Sequence, residues 1–239
     1  DFIYIPMLSL LTFYLIPSHI PVVSTIHDVE QHLGEKNKLI TFLYNITIRR
    51  SNKIIVLSKK FINEVHLKYK IKLQDIIVIP HACFISYLPG CYTPDFQTIH
   101  KRILFFGRIH PYKGLKILLQ ALQLVIQYIP DIELRIAGNG NITPEESALI
   151  EQLRKNIDLH IEWIADNEVS LLIKDVDMTV LPYIEASQSG VIPLSYSFGK
   201  MVIATNVGGL SEQIYDNTGL LIDPNNKEIL ADSIIRLYQ

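Results

Sequence analysis

The sequence predicts an α/β protein built from parallel sheets and crossover helices. Short apolar runs of strand character alternate with stretches of helical spacing along the 239 residues. Several of these runs are almost continuously apolar, as strands covered on both faces require. Neither a tandem repeat nor a low-complexity tract interrupts the alternation.

The elements follow in order. The opening "DFIYIP" reads as a buried strand, and the apolar stretch after it, to Ile16, as a helix. That stretch is too short to span a membrane, prolines at 6 and 17 bound it, and no basic segment precedes it as in a signal peptide. Strands are expected at Val22 to Ile26, Lys53 to Leu57, Ile76 to Ile79, Arg102 to Phe106, Ile132 to Ala137, His160 to Ile164, Met178 to Leu181, Met201 to Ala204 and Gly219 to Ile222. Between them, Leu118, Leu119, Leu122 and Ile126 mark one face of a helix over Leu115 to Tyr128 that stops before Pro130. The segment "CYTPDFQT" (Cys91 to Thr98) has turn chemistry and no periodicity, so two domains are expected, 1–95 and 96–239.

Two cysteines, Cys83 and Cys91, give no disulfide framework, which points to a reducing cytoplasm. Charge is uneven. Residues 1–96 hold 10 Lys+Arg against 7 Asp+Glu, and the remainder 12 against 17, nets of +3 and −5. All ten basic residues of the first part lie between Lys36 and Lys72; they read either as a solvated helix face or as a surface for anionic lipid.

Two segments carry the chemistry. "FFGRIHPYKG" (Phe105 to Gly114) places Arg108 and Lys113 just after an apolar strand, and "LPYIEASQSGVIPLSYSF" places a small-residue loop just before a helix. Each has an ordinary reading, a solvated loop charge and an N-cap. Together they describe a diphosphate pocket: a guanidinium fork and an ammonium hold phosphate oxygens, while amides of Ser187-Gln188-Ser189-Gly190-Val191 at a helix start supply donors. Pro193 fits in a first turn, where its missing N–H costs nothing.

These segments resemble the family 4 glycosyltransferases of GT-B type, glycosyl transferases group 1. The family pattern GR-x4-KG is met by Arg108, Lys113 and Gly114, and GKPVIAT-x-VGG-x-x-E by Gly199, Lys200, Val202 to Thr205, Val207 to Gly209 and Glu212, with Met201 where proline is usual. Upstream, "VVSTIHDVE", "SNKIIVLSKK" and "IIVIPHAC" resemble elements of the family's N-terminal domain. The resemblance implies two Rossmann-like domains, an incomplete acceptor-side one over 1–95 and a nucleotide-sugar-binding one over 96–239 lacking the final crossover helix. The chain is accordingly expected to be a fragment.

The activity implied is retaining, metal-independent transfer of a sugar from a nucleoside-diphosphate sugar to a glycan or lipid-linked acceptor, with no cofactor and no nucleic-acid partner. Arg108 and Lys113 would stabilise the leaving diphosphate, and His27 would act on the acceptor side with Asp28 beside it; His81 is a weaker candidate. Gly138, Asn139, Ile164, the loop Ser187 to Val191 and Leu194 would line the donor site, with the Ile164 backbone at the nucleobase. The implied location is the cytoplasm, with peripheral contact at the inner membrane face. One departure stands out: the family's Glu-x7-Glu pair falls on Ala186 and Leu194, so both carboxylates are missing. A non-catalytic GT-B module that binds nucleotide or a partner enzyme, and a sugar-nucleotide 2-epimerase, are the alternatives. Asp175 and Asp177 in "KDVDM" mimic a metal-binding pair but read as a helix-to-strand turn; "AGNGNIT" lacks the third glycine of a dinucleotide loop; Trp163 reads as core or cleft wall rather than a stacking platform.

Overall fold

A computed structural model describes residues 3–4, 16–17, 19–27, 29, 38–90, 92–95 and 98–239. They divide into two compact units, Asp1–His81 and Ala82–Gln239. The first contains strands β1 (Ile3–Tyr4), β2 (Val22–Ile26), β3 (Lys53–Val56) and β4 (Ile76–Val78), paired in that order and all parallel. Alternation along β2 and β3 puts Val22, Ile26, Ile54 and Val56 inward, and the helices Lys38–Arg50 and Ile62–Tyr69 close the core with Ile48 and Val65. The apolar helix expected before Ile16 lies outside the described residues. Among the described residues, no helix is long and apolar enough to cross a membrane.

The second unit holds β5 (Arg102–Phe106), β6 (Glu133–Ala137), β7 (Ile157–His160), β8 (Met178–Leu181), β9 (Met201–Thr205) and β10 (Gly219–Ile222) in the parallel order β10-β9-β8-β5-β6-β7. The chain lays β5, β6 and β7 outward, then returns to the other side of β5 to begin β8. A crevice between diverging crossovers opens at such a reversal. The helix Leu115–Val125 buries Leu115, Leu118, Leu119, Ala121, Leu122 and Val125 and packs with Leu230, Ala231 and Ile234 of the helix Lys227–Leu237. Its regular part ends three residues before the expected Tyr128, and a turn with Ile129 N–H donating to Val125 C=O finishes it.

Two sequence expectations differ from the structure. The strand expected at His160–Ile164 lies instead at Ile157–His160. Its register puts Ile157 opposite Leu134 and lets Asp158 bond Arg135 at 2.6 Å, so a charge pair rather than an apolar run locates this edge strand. Residues 82–90 and 92–95, placed in the first domain by the sequence, fall with the second unit. Phe84, Tyr87, Leu88 and Tyr92 lie on the cluster of Leu104, Val169 and Phe198; Phe84 N–H donates to Ser197 Oγ (2.8 Å) and Tyr92 O–H to Phe198 C=O (3.1 Å). The aspartates of "KDVDM" are consumed structurally. Asp175 bonds Arg102 and Arg135, while Asp177 accepts from the N–H groups of His100 and Arg102 and from Tyr238 O–H.

Candidate functional site

The loops after β5 and β8 flank the crevice, and their backbones are tied together. β5 buries Ile103, Leu104 and Phe105, so the polar residues that follow leave the sheet at its carboxyl end. Gly107 N–H donates to Ala137 C=O (2.9 Å) and Ile109 N–H to Asn139 C=O (2.8 Å), which extends the β5–β6 ladder into the loops. A 3-10 turn, Pro111–Lys113, then reverses the chain and ends on Gly114 at φ 71°. A Cβ at Gly114 would stand 2.0 Å from the Pro182 carbonyl oxygen, so only glycine lets this turn seat on the loop after β8. Ile184 N–H donates to Tyr112 C=O at 2.7 Å and completes the joint.

This geometry aims Lys113 back into the crevice. Its side chain is buried at 8% exposure, with Nζ 5.2 Å from the Tyr183 ring centroid. A Cβ placed on Gly107 would lie 3.0 Å from that Nζ and 3.8 Å from Val191 Cγ2, so the ammonium and the start of the helix Val191–Ser197 meet over one glycine. Among the described residues, no carboxylate pairs with Lys113. A buried ammonium beside a ring face and without a carboxylate partner is expensive unless an anion joins it. Arg108, by contrast, is exposed on its loop.

The loop after β8 is braced from a distance. Gln213 clasps Ser189, accepting from its N–H and donating to its C=O, each at 2.9 Å, and Gly209 N–H donates to Ser187 C=O. Ser189 Oγ accepts from Val191 N–H (3.2 Å) and lies 3.4 Å from the Tyr183 hydroxyl. The amides of Ser189 to Val191, expected to aid in holding a diphosphate, are unequally placed for it. Two are committed within the protein, while the Gly190 N–H has no acceptor among the described residues. Gln188 Oε1 and His110 Nδ1, one on each loop, are buried without a hydrogen-bond partner among the described residues, a state that native structures rarely leave uncompensated. Sequence reasoning missed Tyr183 and Gln213, whose partners Lys113 and Ser189 lie in other loops, and His110, whose burial no local pattern marks.

The remaining candidates divide. Gly138 N–H donates to His160 C=O, and a Cβ on Gly138 would stand 2.0 Å from the Gly107 carbonyl oxygen, so loop packing alone already demands this glycine. Asn139 is exposed beside it, and Ile164 is half-buried in the loop after β7. Leu194, expected to line the donor site, packs its side chain inward. It is 6% exposed and faces the apolar cluster of Leu104, Ala137, Val169 and Phe198, where it can offer a ligand no hydrogen bond. Ala186, at the other position of the missing carboxylate pair, is also buried.

In the first unit, His27 follows β2 and is exposed; Asp28 lies outside the described residues. His81, three residues beyond β4, approaches His27 with ring centroids 6.2 Å apart. Burial, and secondarily the neighbouring His27, pushes the His81 pKa below its ordinary value. A histidine with a lowered folded-state pKa binds its proton more readily when unfolded, so stability falls as pH drops below about 6.5 and levels off below the folded value. His81→Gln should flatten that slope in acid titrations followed by circular dichroism; an unchanged slope would show that His81 does not carry it.

Comparison with known families agrees with this layout. The profile of glycosyl transferases group 1 matches residues 100–239, more than half the chain, and that of Glycosyltransferase Family 4 matches residues 2–83.

The chain belongs to the glycosyl transferases group 1.

Among relatives of this group 1 member, a D-inositol 3-phosphate glycosyltransferase of Pseudarthrobacter chlorophenolicus is 29% identical over 163 residues, covering 62% of this chain and 39% of that protein. An uncharacterized glycosyltransferase of Methanocaldococcus jannaschii is 26% identical over 223 residues, 91% of this chain and 58% of its own. The chain thus spans well under half the length of the first of these. Among solved structures, Staphylococcus aureus TarM, as a variant crystallised with UDP, superposes with a TM-score of 0.73 at 20% identity over 91% of this chain and 44% of TarM. Anabaena HepE with UDP and glucose gives 0.71 at 19% identity, over 92% and 62%. These likenesses bear out the fold expected from the sequence, GT-B with Rossmann-like domains.

Proposed function

We propose that this group 1 glycosyltransferase moves a sugar from a nucleoside-diphosphate sugar to a glycan or lipid-linked acceptor, with retention and without a metal. One observation carries the reading: the Lys113 ammonium, buried and without a carboxylate partner among the described residues, meets the Val191 helix start over Gly107 at the β5/β8 reversal. A leaving diphosphate gains negative charge as the glycosidic bond breaks, and a fixed cation placed there acts most strongly on the transition state. Lys113 is the group in position, Gly190 N–H adds a donor, and Arg108 can fold in from the exposed side of its loop. TarM crystallised with UDP, and HepE with UDP and glucose, support this donor class. His27 and His81 would serve the acceptor in the first unit, His81 as a neutral imidazole.

Ala186 and Leu194 in place of the carboxylate pair favour a second reading, a GT-B module that binds nucleotide without turning it over. A thermal-shift screen of UDP-, GDP- and ADP-sugars tests the first step. A donor at 100 times its Kd should add about 2.7 kcal/mol to the stability of the second unit. No shift with any donor would sink both readings, and a shift without nucleoside diphosphate release on adding acceptor would select the module.

A further inference from the structure

Gln213 belongs to the loop after β9, yet its carboxamide is spent on the loop after β8. Oε1 accepts from Ser189 N–H and Nε2 donates to Ser189 C=O, each at 2.9 Å. The backbone around this clasp is equally close. Thr205 Oγ1, at the end of β9, donates to Tyr183 C=O (2.6 Å), and Gly209 N–H donates to Ser187 C=O (3.0 Å). A Cβ on Gly208 would stand 1.5 Å from the Ala186 carbonyl oxygen, so the two loops touch backbone to backbone. The loop after β8 is thus held from Tyr183 to Ser189 by the end of β9 and the loop that follows it.

What Gln213 adds to this brace is direction. Ser189 C=O and Gly190 N–H share one peptide plane, and a trans peptide points the two groups in opposite directions. In the strand order β9-β8-β5, the loop after β9 stands on one side of the loop after β8 and the loop after β5 on the other. With the Ser189 carbonyl turned to Gln213, the Gly190 N–H is turned to the side of the loop after β5, which carries Lys113. Val191, one residue on, is the side chain that meets the Lys113 ammonium over Gly107. Donation into the carbonyl also polarises the peptide, which makes its N–H a stronger donor. A carboxamide suits the place because it sets a donor beside an acceptor without titrating.

We propose that Gln213 is a positioning residue for the donor diphosphate: it fixes the Ser189–Gly190 peptide so that the Gly190 N–H is set in advance to donate to a phosphate oxygen beside Lys113. This rests on the donor reading above and adds to it the side chain that aims the amide. Gln213 acts through the backbone and touches no phosphate itself.

The full 239-residue chain, Gln213→Ala and Gln213→Glu are titrated by calorimetry with UDP, GDP, ADP and inorganic pyrophosphate, from about pH 7.5 down to about pH 4, with circular dichroism following the fold. Gln213→Ala should bind at least one nucleoside diphosphate about 10-fold more weakly than the parent at every pH. Gln213→Glu, the isosteric variant, carries the decisive signature. Ionised, its carboxylate still accepts from Ser189 N–H but repels Ser189 C=O and turns the peptide; protonated, it again sets a donor beside an acceptor. Its affinity should be about 100-fold below the parent near neutral pH and return to within a few-fold as the carboxyl takes up its proton, around pH 4.3 for an ordinary glutamate. Pyrophosphate should follow the same course. Tyr183, Lys113 and Glu212, the titratable side chains beside the clasp, are common to all three proteins, so the ratio to the parent at each pH isolates position 213. Parent-like binding by Gln213→Ala, or a Gln213→Glu ratio that does not move with pH, overturns the proposal and leaves the donor reading standing. A Gln213→Glu chain that fails to fold makes the clasp structural and overturns it as well. Absence of heat with every nucleoside diphosphate in the parent overturns the donor reading and this proposal with it.

Discussion

Lys113→Ala should lower the rate of nucleoside diphosphate release from a donor sugar by about 10²–10³, the scale of losing one preorganised group at a developing charge. The loss belongs in kcat more than in KM, because the diphosphate of the bound donor carries less charge at the bridging oxygen than the departing one. The lysine makes no ion pair among the described residues, so its removal leaves no orphaned carboxylate, and its stem is replaced by space beside Tyr183. The melting temperature should therefore hold while turnover falls. Steady-state assays beside a thermal melt separate these outcomes. A variant that melts as before and turns over near the parent rate would remove Lys113 from the chemistry, and with it the central argument for sugar transfer.

Arg135→Ala should destabilise the second unit by about 3 kcal/mol, as expected for breaking a largely buried charge pair. Arg135 is nearly covered by the sheet; its guanidinium bonds Asp158 and Asp175, each at 2.6 Å, and donates to Leu172 C=O at 2.9 Å. Burial on its own would raise the Asp158 pKa, yet Arg135, with His160 behind it, holds that carboxyl below its ordinary value. A depressed folded-state pKa stabilises above the unfolded value and is lost as pH falls through the folded one, so Arg135→Ala should also shrink the acid-induced loss. Asp175 keeps Arg102 in the variant, whereas Asp158 keeps only His160. Denaturant melts at neutral and acid pH measure both effects. Equal stability of parent and variant at both pH values would mean that solvent already screens the pair.

These two residues were unequally legible. Lys113 could be read directly, because the turn "HPYKG" following an apolar strand is a local pattern whose geometry depends on Pro111 and Gly114. Arg135 looked like one polar residue in a strand, since its partners lie 23 and 40 positions away. The edge strand β7 was misplaced for the same reason: "IDLH" is a weak apolar pattern, and the charge pair that fixes it is non-local. The loop "ASQSGV" was recognisable as a helix start, but not its occupancy. Gln213, 24 residues beyond Ser189, takes the amide that the pattern alone leaves open.

By itself the sequence determined the α/β class, the strand and helix alternation and the pairing of a cationic turn with a small-residue loop. Each follows from covalent neighbours: side-chain periodicity, proline and glycine dihedrals and turn chemistry act within a few residues. Only the tertiary structure decided that the ammonium and the helix start meet over Gly107, that Leu194 turns into the core and that Trp163 stands out in water. Those outcomes depend on strand order and register, which are set when distant segments compete to bury apolar surface and satisfy buried polar groups.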